Sequence, residues 1–326
     1  MIETHRSRQI SRNEMPKRAL IVGIDHYEQS PLNGCVKDAN RIAEILERNE
    51  DASVNFSVKT LTSDKVRITE GRLNNELEKL FSRGAETALF YFSGHGFENN
   101  YGGKLVTQDA RHGDEGLNLS YVLQMANTSP LSEVVIILDC CYAQNMGDDK
   151  GHTHLDEGVS ILAASLKGQV AMEGREGGLF TSLLIEGLKG GAADIMGEIT
   201  APSLYNFADK MFSPMEQRPV FKSSVTKLSA LRKCEPRIEL KKLHKIEGLF
   251  ETDESYYQLD KRHEKSMPEA QPNQVDNLRL LKKYQTLGLV EAEGFEDLYY
   301  AAINDGKCRL TPLGKMYWNL VYKNLI

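Results

Sequence analysis

The pattern of this 326-residue chain predicts an α/β protein, a three-layer α/β/α sandwich around a mostly parallel sheet, followed by a small helical C-terminal domain. Three features predict it. Short apolar runs closed off by turn residues alternate with helical stripes from residue 17 to about residue 221. Strand–helix–strand order needs crossovers, and crossovers place helices on both faces of a parallel sheet. Beyond about residue 235 the alternation stops and a polar, proline-containing stretch follows.

Residues 1–16 are polar and aperiodic and read as a loosely docked tail. Arg18-Ala-Leu-Ile-Val-Gly-Ile24 is too short for a helix and lies between Pro16 and Asp25, so it reads as a buried strand. Val36, Ala39, Ile42, Ala43, Ile45 and Leu46 form one stripe at helical spacing over 35–49. Residues 54–61 alternate apolar and polar and suggest a strand, and Leu73, Leu77, Leu80 and Phe81 mark a helix over 69–82. The strand Ala88–Phe92 runs into Ser93-Gly94-His95-Gly96, and a helix is expected over 119–127. Val134–Leu138 is the strongest strand signal and ends at Asp139-Cys140-Cys141. Another strand covers 159–164, helices follow near 178–189 and 201–212, and Pro219-Val-Phe221 suits an edge strand.

In the C-terminal part, residues 251–275 read as a linker or long loop. A helix is expected over 276–290, ending at Gly288, then a hairpin over 289–310. A last helix has Thr311 as N-cap and Pro312 in its first turn. The domain plan is a tail at 1–16, an α/β domain at 17–235, a connecting segment at 236–275 and a small module at 276–326. No internal repeat is visible.

Composition narrows the function classes. With 40% hydrophobic residues the chain can bury a core, which excludes disorder. No stretch approaches the ~18 apolar residues of a membrane span, and no apolar leader is seen, so a soluble cytoplasmic protein is expected. The charge count, 40 Lys+Arg against 46 Asp+Glu, is mildly acidic and argues against a dedicated nucleic-acid binder. Cys35, Cys140, Cys141, Cys234 and Cys308 are odd in number and scattered, which suits free thiols in a reducing compartment.

Two strand ends carry chemistry, Ser93-Gly94-His95-Gly96 and Asp139-Cys140-Cys141. If the two strands are neighbours, an imidazole from His95 and a thiol from Cys141 emerge at one edge of the sheet. Such a pair suits covalent catalysis, the thiolate attacking a carbonyl and the imidazole handling the leaving-group proton. Gly96 can offer an open N–H to a developing oxyanion, with a second N–H from the nucleophile's own backbone, Cys141. The plain alternative is a small buried cysteine and a satisfied histidine. A zinc site from Cys140, Cys141, His152 and His154 is disfavoured, because adjacent cysteines point apart and no C-x-x-C spacing exists.

Tyr91-Phe-Ser-Gly-His-Gly96 and Leu138-Asp-Cys-Cys141, together with Ala19–Ile24, Gly34-Cys-Val-Lys-Asp-Ala39, Gly178–Thr181 and Gln217–Pro219, resemble the caspase-like cysteine peptidases, above all the metacaspases and their bacterial relatives. The resemblance covers roughly residues 17–230. It implies a caspase-like sandwich, His95 as catalytic histidine and Cys141 as nucleophile, with Cys140 packing inward. It also implies cleavage after Arg or Lys, with Asp38, Ser93 and Asp139 shaping the P1 pocket. Paired carboxylates suit a buried guanidinium. The plain alternatives are a solvated Asp38 on the first turn of its helix and an Asp139 that accepts from loop N–H groups. The chain departs from the family in Cys141-Tyr142-Ala143-Gln144, where Cys-His-Ser-Gly is frequent, and the animal-caspase signature Gln-Ala-Cys-Arg-Gly is absent, so Asp specificity is not implied.

No cofactor is required. Asp148-Asp149 is thin for Ca²⁺, so calcium dependence is an open alternative without a clear site. Residues 142–158 suit an activation or substrate loop, and Lys150 within it and Lys167 and Arg175 beyond it are candidate points of self-cleavage, with an ordinary surface loop as the plain alternative for each. Residues 276–326 resemble part of a winged helix. The segment 236–326 balances its acidic and basic residues, which favours a module for a regulatory protein over DNA. The expected partners are a protein substrate with a basic P1 residue and an activating protein, with no membrane. The expected role is a defence or cell-death effector. A catalytically silent scaffold and a DNA-binding regulator are the alternatives.

Overall fold

The structure is a computed structural model that describes residues 16–99, 102–111, 116–140, 154–164, 173–174, 177–212, 218–226 and 228–326. The chain divides into two compact units, Met1–Glu235 and Pro236–Ile326.

The first unit is built on β1 (Lys17–Gly23), α1 (Cys35–Glu47), β2 (Phe56–Thr62), α2 (Glu70–Leu80) and β3 (Thr87–Ser93). A small antiparallel sheet follows from β4 (Gly96–Asn99), β5 (Gly102–Leu105) and β6 (Leu117–Asn118). Next come α3 (Leu119–Asn127), β7 (Glu133–Asp139), β8 (Val159–Ala163), the ribbon β9 (Glu173–Gly174) with β10 (Gly177–Gly178), and α4 (Leu179–Glu186). A π-helical turn, β11 (Glu198–Ile199), α5 (Ala201–Lys210), β12 (Val220–Ser224) and β13 (Arg232–Lys233) complete it.

The main sheet has six strands in the order β12-β8-β7-β3-β1-β2. All neighbours run parallel except β12, which closes one edge antiparallel to β8. Strand residues alternate between two cores. Leu20, Val22, Phe90, Phe92, Ile136 and Leu138 face Leu73, Leu77 and Val122 of α2 and α3. Ala19, Ile21, Leu89, Tyr91, Val135 and Ile137 face Ile42, Leu184 and Leu204 of α1, α4 and α5. This is the three-layer α/β/α sandwich that the alternation of strands and helices predicted.

The second unit contains α6 (Leu240–Leu243), α7 (Lys245–Leu249), β14 (Tyr256–Gln258), a 3₁₀ turn at Lys261–His263 and α8 (Pro272–Thr286). It ends with β15 (Val290–Ala292), α9 (Leu298–Ile303), β16 (Lys307–Leu310) and α10 (Pro312–Tyr322). Thr311 caps α10 as expected, accepting the Gly314 N–H. Residues 251–275 differ from the linker reading. Tyr256–Gln258 pairs with β16, and buried His263 bonds to Asp260 and Tyr257. These polar groups satisfy each other and leave no apolar run to announce the fold. The expected hairpin over 289–310 carries α9 between its strands, and α8 begins earlier, at Pro272. Among the described residues no helix is long and apolar enough to cross a membrane.

Candidate active site

Gly23, Ser93 and Asp139 form one row at the carboxyl ends of β1, β3 and β7, Gly23 paired with Ser93 and Ser93 with Asp139. Loops leave a parallel sheet from this edge, so ligand sites gather there. Ser93 and Asp139 share the face of Tyr91 and Ile137, the face covered by α1 and α4. Gly23 lets α1 close on it. A Cβ there would lie 2.4 Å from the Cys35 carbonyl oxygen and 2.7 Å from the Ala39 Cβ. The first turn of α1 therefore sits at the sheet edge and delivers Asp38.

Asp38 is 1% exposed, which removes the solvated-helix alternative. Its Oδ2 accepts the Gly178 N–H at 2.7 Å. Asp139 Oδ2 accepts the Thr181 hydroxyl at 2.6 Å, and Thr181 Oγ1 lies 2.6 Å from the Tyr91 hydroxyl. The two acids meet around Gly178, the N-cap of α4. A Cβ there would sit 2.8 Å from Asp139 Oδ2 and 3.3 Å from Asp38 Oδ2. Burial pushes the Asp38 carboxyl up to about 6, opposed by the Gly178 N–H and reinforced by the charge of Asp139. Burial also raises Asp139, against the Thr181 bond. The Arg41 guanidinium stands at the margin, 3.5 Å from Asp38 Oδ1. The Cys35 thiol bonds to Ser93 and is raised by burial. A pair of acids, one buried and one half-buried, with one marginal cation is electrostatically prepared for a second cation.

His95 lies two residues past β3 and is held from three sides by the loop after β1. Its Nε2 is 2.7 Å from the Ser30 carbonyl oxygen, and a carbonyl can only accept, so Nε2 carries the proton. The basic lone pair is then on Nδ1. Ser30 adopts φ 62°, a left-handed conformation that costs a non-glycine residue about 1 kcal/mol and here aims its carbonyl at the imidazole. The Tyr27 ring packs on the imidazole with centroids 4.6 Å apart, and the Tyr27 hydroxyl accepts the His95 N–H at 3.0 Å. Asp25 anchors the loop by accepting from the N–H groups of Gly34, Cys35 and Val36 at the start of α1. The Val106 N–H donates to the His95 carbonyl, so ladder alternation turns the Gly96 N–H away from β5.

The structure thus brings Asp38, Ser93 and Asp139 together, with His95 and Gly96 continuing from Ser93. Cys140 is buried in the core under α2 and α3, as expected for the residue before the nominated nucleophile. Cys141, His152, Asp148, Asp149, Lys150, Lys167 and Arg175 lie outside the described residues. Among the described residues no group of three or more His, Cys, Asp or Glu could hold a metal ion. Sequence reasoning missed Tyr27, Ser30 and Thr181. Ser30 acts through a carbonyl and a backbone angle, which no residue type signals. Tyr27 and Thr181 gave only the weak signal of polar residues next to strand-end glycines and acids.

A family model described as the caspase domain matches residues 16–229. The chain is similar to protein GSU0716 from Geobacter sulfurreducens, with 19% identity, 68% of this chain and 98% of that chain covered, and a TM-score of 0.48. It is also similar to pro-sf-caspase-1, with 14% identity, 69% and 100% of the two chains covered, and a TM-score of 0.45. No curated protein matches. With the family model spanning the whole sandwich and its edge of acids and imidazole, the chain belongs to the caspase-domain family of cysteine peptidases.

Proposed function

We propose that this chain is a cysteine endopeptidase that cuts proteins after Arg or Lys, with Cys141 as nucleophile and His95 as general acid and base. The observation that carries the reading is the pair of acids, buried Asp38 and half-buried Asp139, converging on Gly178 beside the strand that leads into the His95 turn. A P1 guanidinium or ammonium entering there exchanges water for two carboxylates, with Ser93 as a further polar wall. In the reaction, His95 Nδ1 takes the Cys141 thiol proton and the thiolate attacks the scissile carbonyl. The N–H groups of Gly96 and Cys141 hold the oxyanion. The leaving amine takes the proton from His95 and a thioester remains. Water, deprotonated by His95, then releases the acid and restores the thiol.

The C-terminal unit is read as a protein-interaction module that recruits or restrains the peptidase. Its sheet pairs its own charges, Lys307 with Glu293 and Arg309 with Glu291, which leaves those cations committed rather than available to phosphate. A regulated peptidase of this kind suits a defence or programmed-cell-death effector.

Fluorogenic peptides differing only at P1 test the activity. Cleavage of Arg and Lys peptides by wild type, and its loss in Cys141→Ala, is the expected result, with covalent capture of an Arg-chloromethyl ketone by wild type only. Preference for Asp at P1 would refute the pocket. Absence of both cleavage and capture would make the chain a silent scaffold.

A further inference from the structure

The turn that carries His95 departs from a regular antiparallel ladder at one point. Gly96 pairs with Leu105, and Val106 donates its N–H to the His95 carbonyl at 3.0 Å. A regular ladder would return the second bond of this pair directly, from the His95 N–H to the Val106 carbonyl. Here an oxygen atom stands between them. The Tyr27 hydroxyl accepts the His95 N–H at 3.0 Å and donates to the Val106 carbonyl at 3.2 Å. Gly94 makes the room, since a Cβ at that position would lie 2.5 Å from the Tyr27 oxygen. Tyr27 is 8% exposed, so water does not readily replace the hydroxyl. Its ring meanwhile packs on the imidazole whose backbone its hydroxyl holds.

We propose that Tyr27 is a positioning residue for His95: its hydroxyl, inserted into the His95–Val106 pair, holds the turn open by the width of one oxygen and so sets the place and tilt of the imidazole. The proposal rests on the reading of His95 as the acid–base group. Without the hydroxyl the His95 N–H and the Val106 carbonyl lose their partner. The turn then closes on itself and carries the ring away from the Ser30 carbonyl that fixes its tautomer.

The test uses the full-length chain and Tyr27→Phe, which keeps the ring and removes the oxygen. Turnover of Arg peptides is expected to fall about 100-fold in kcat with KM little changed, the pattern of lost orientation rather than lost binding. In parallel, nitrogen NMR of histidine-labelled protein, in the Cys141→Ala background, reads the His95 tautomer without any need for activity. Wild-type Tyr27 is expected to show a single Nε2–H form, and Tyr27→Phe a mixture of tautomers. An unchanged tautomer in Tyr27→Phe overturns the proposal, whatever happens to kcat, because a structural role alone would then explain any loss. A changed tautomer with kcat intact overturns it too. If wild type cleaves no peptide, the peptidase reading fails while the tautomer still decides the placement of His95. If Tyr27→Phe does not fold, Gly94→Ala takes its place, since the added methyl group displaces the hydroxyl that remains in the chain, and the same readouts decide.

Discussion

Asp38 places a stability cost and a binding function on the same atoms. Its carboxyl is buried and pushed up to about 6, whereas in an unfolded chain it titrates in the ordinary carboxylate range. The folded state therefore holds the proton more tightly than the unfolded state. Stability falls as pH rises from the ordinary range through about 6, and the cost is fully present at neutral pH. Asp38→Asn keeps an oxygen for the Gly178 N–H and removes the charge. It is expected to raise stability at pH 7 by on the order of 1–3 kcal/mol, a gain that vanishes below pH ~4. Thermal melts of both proteins across this range check it. The same substitution is expected to abolish cleavage after Arg and Lys. In wild type, KM for an Arg peptide is expected to climb as pH drops through about 6, because a protonated Asp38 no longer offsets the P1 cation. Steady-state kinetics against pH read this directly.

At the scale of elements, the site depends on how closely α1 and α4 start over the sheet edge. Gly178 caps α4 with an ordinary φ of −66°, so alanine fits its backbone but not its surroundings. Gly178→Ala is expected to push the two carboxylates apart and cut kcat/KM for Arg peptides at least ~10-fold while the circular dichroism spectrum stays the same. The long buried strands were legible in the sequence. Runs such as Val134–Leu138 bury both faces and leave no polar face to confuse the period. The strand ends were legible too, because Ser93 and Asp139 follow directly from those runs. The β4–β6 sheet, the β11–β13 ribbon and the folded stretch over 240–263 were not. They are short, polar and held by tertiary partners, as where β14 pairs with β16 from far along the chain. The clamp on His95 was equally hidden, since Ser30 contributes a carbonyl and Tyr27 a hydroxyl set into a backbone pair.

For the molecule as a whole, each unit has its own interior. The second unit buries Leu243, Ile246, Phe250, Leu281, Tyr284 and Leu298. Leu281→Ala is expected to destabilise this unit by ~2–5 kcal/mol, the range for a large-to-small change in a packed core. The chain has one tryptophan, Trp318, 6% exposed, stacked on Tyr322 and donating its indole N–H to the Phe250 carbonyl at 2.9 Å. Indole fluorescence of the intact protein is therefore a lamp lit in the C-terminal unit alone. The red shift of its emission on heating dates the opening of that unit, while helix loss by circular dichroism is weighted toward the larger one. Leu281→Ala should bring the red shift to a lower temperature, and a partner whose binding alters the surroundings of Trp318 can be followed by colour without a dye.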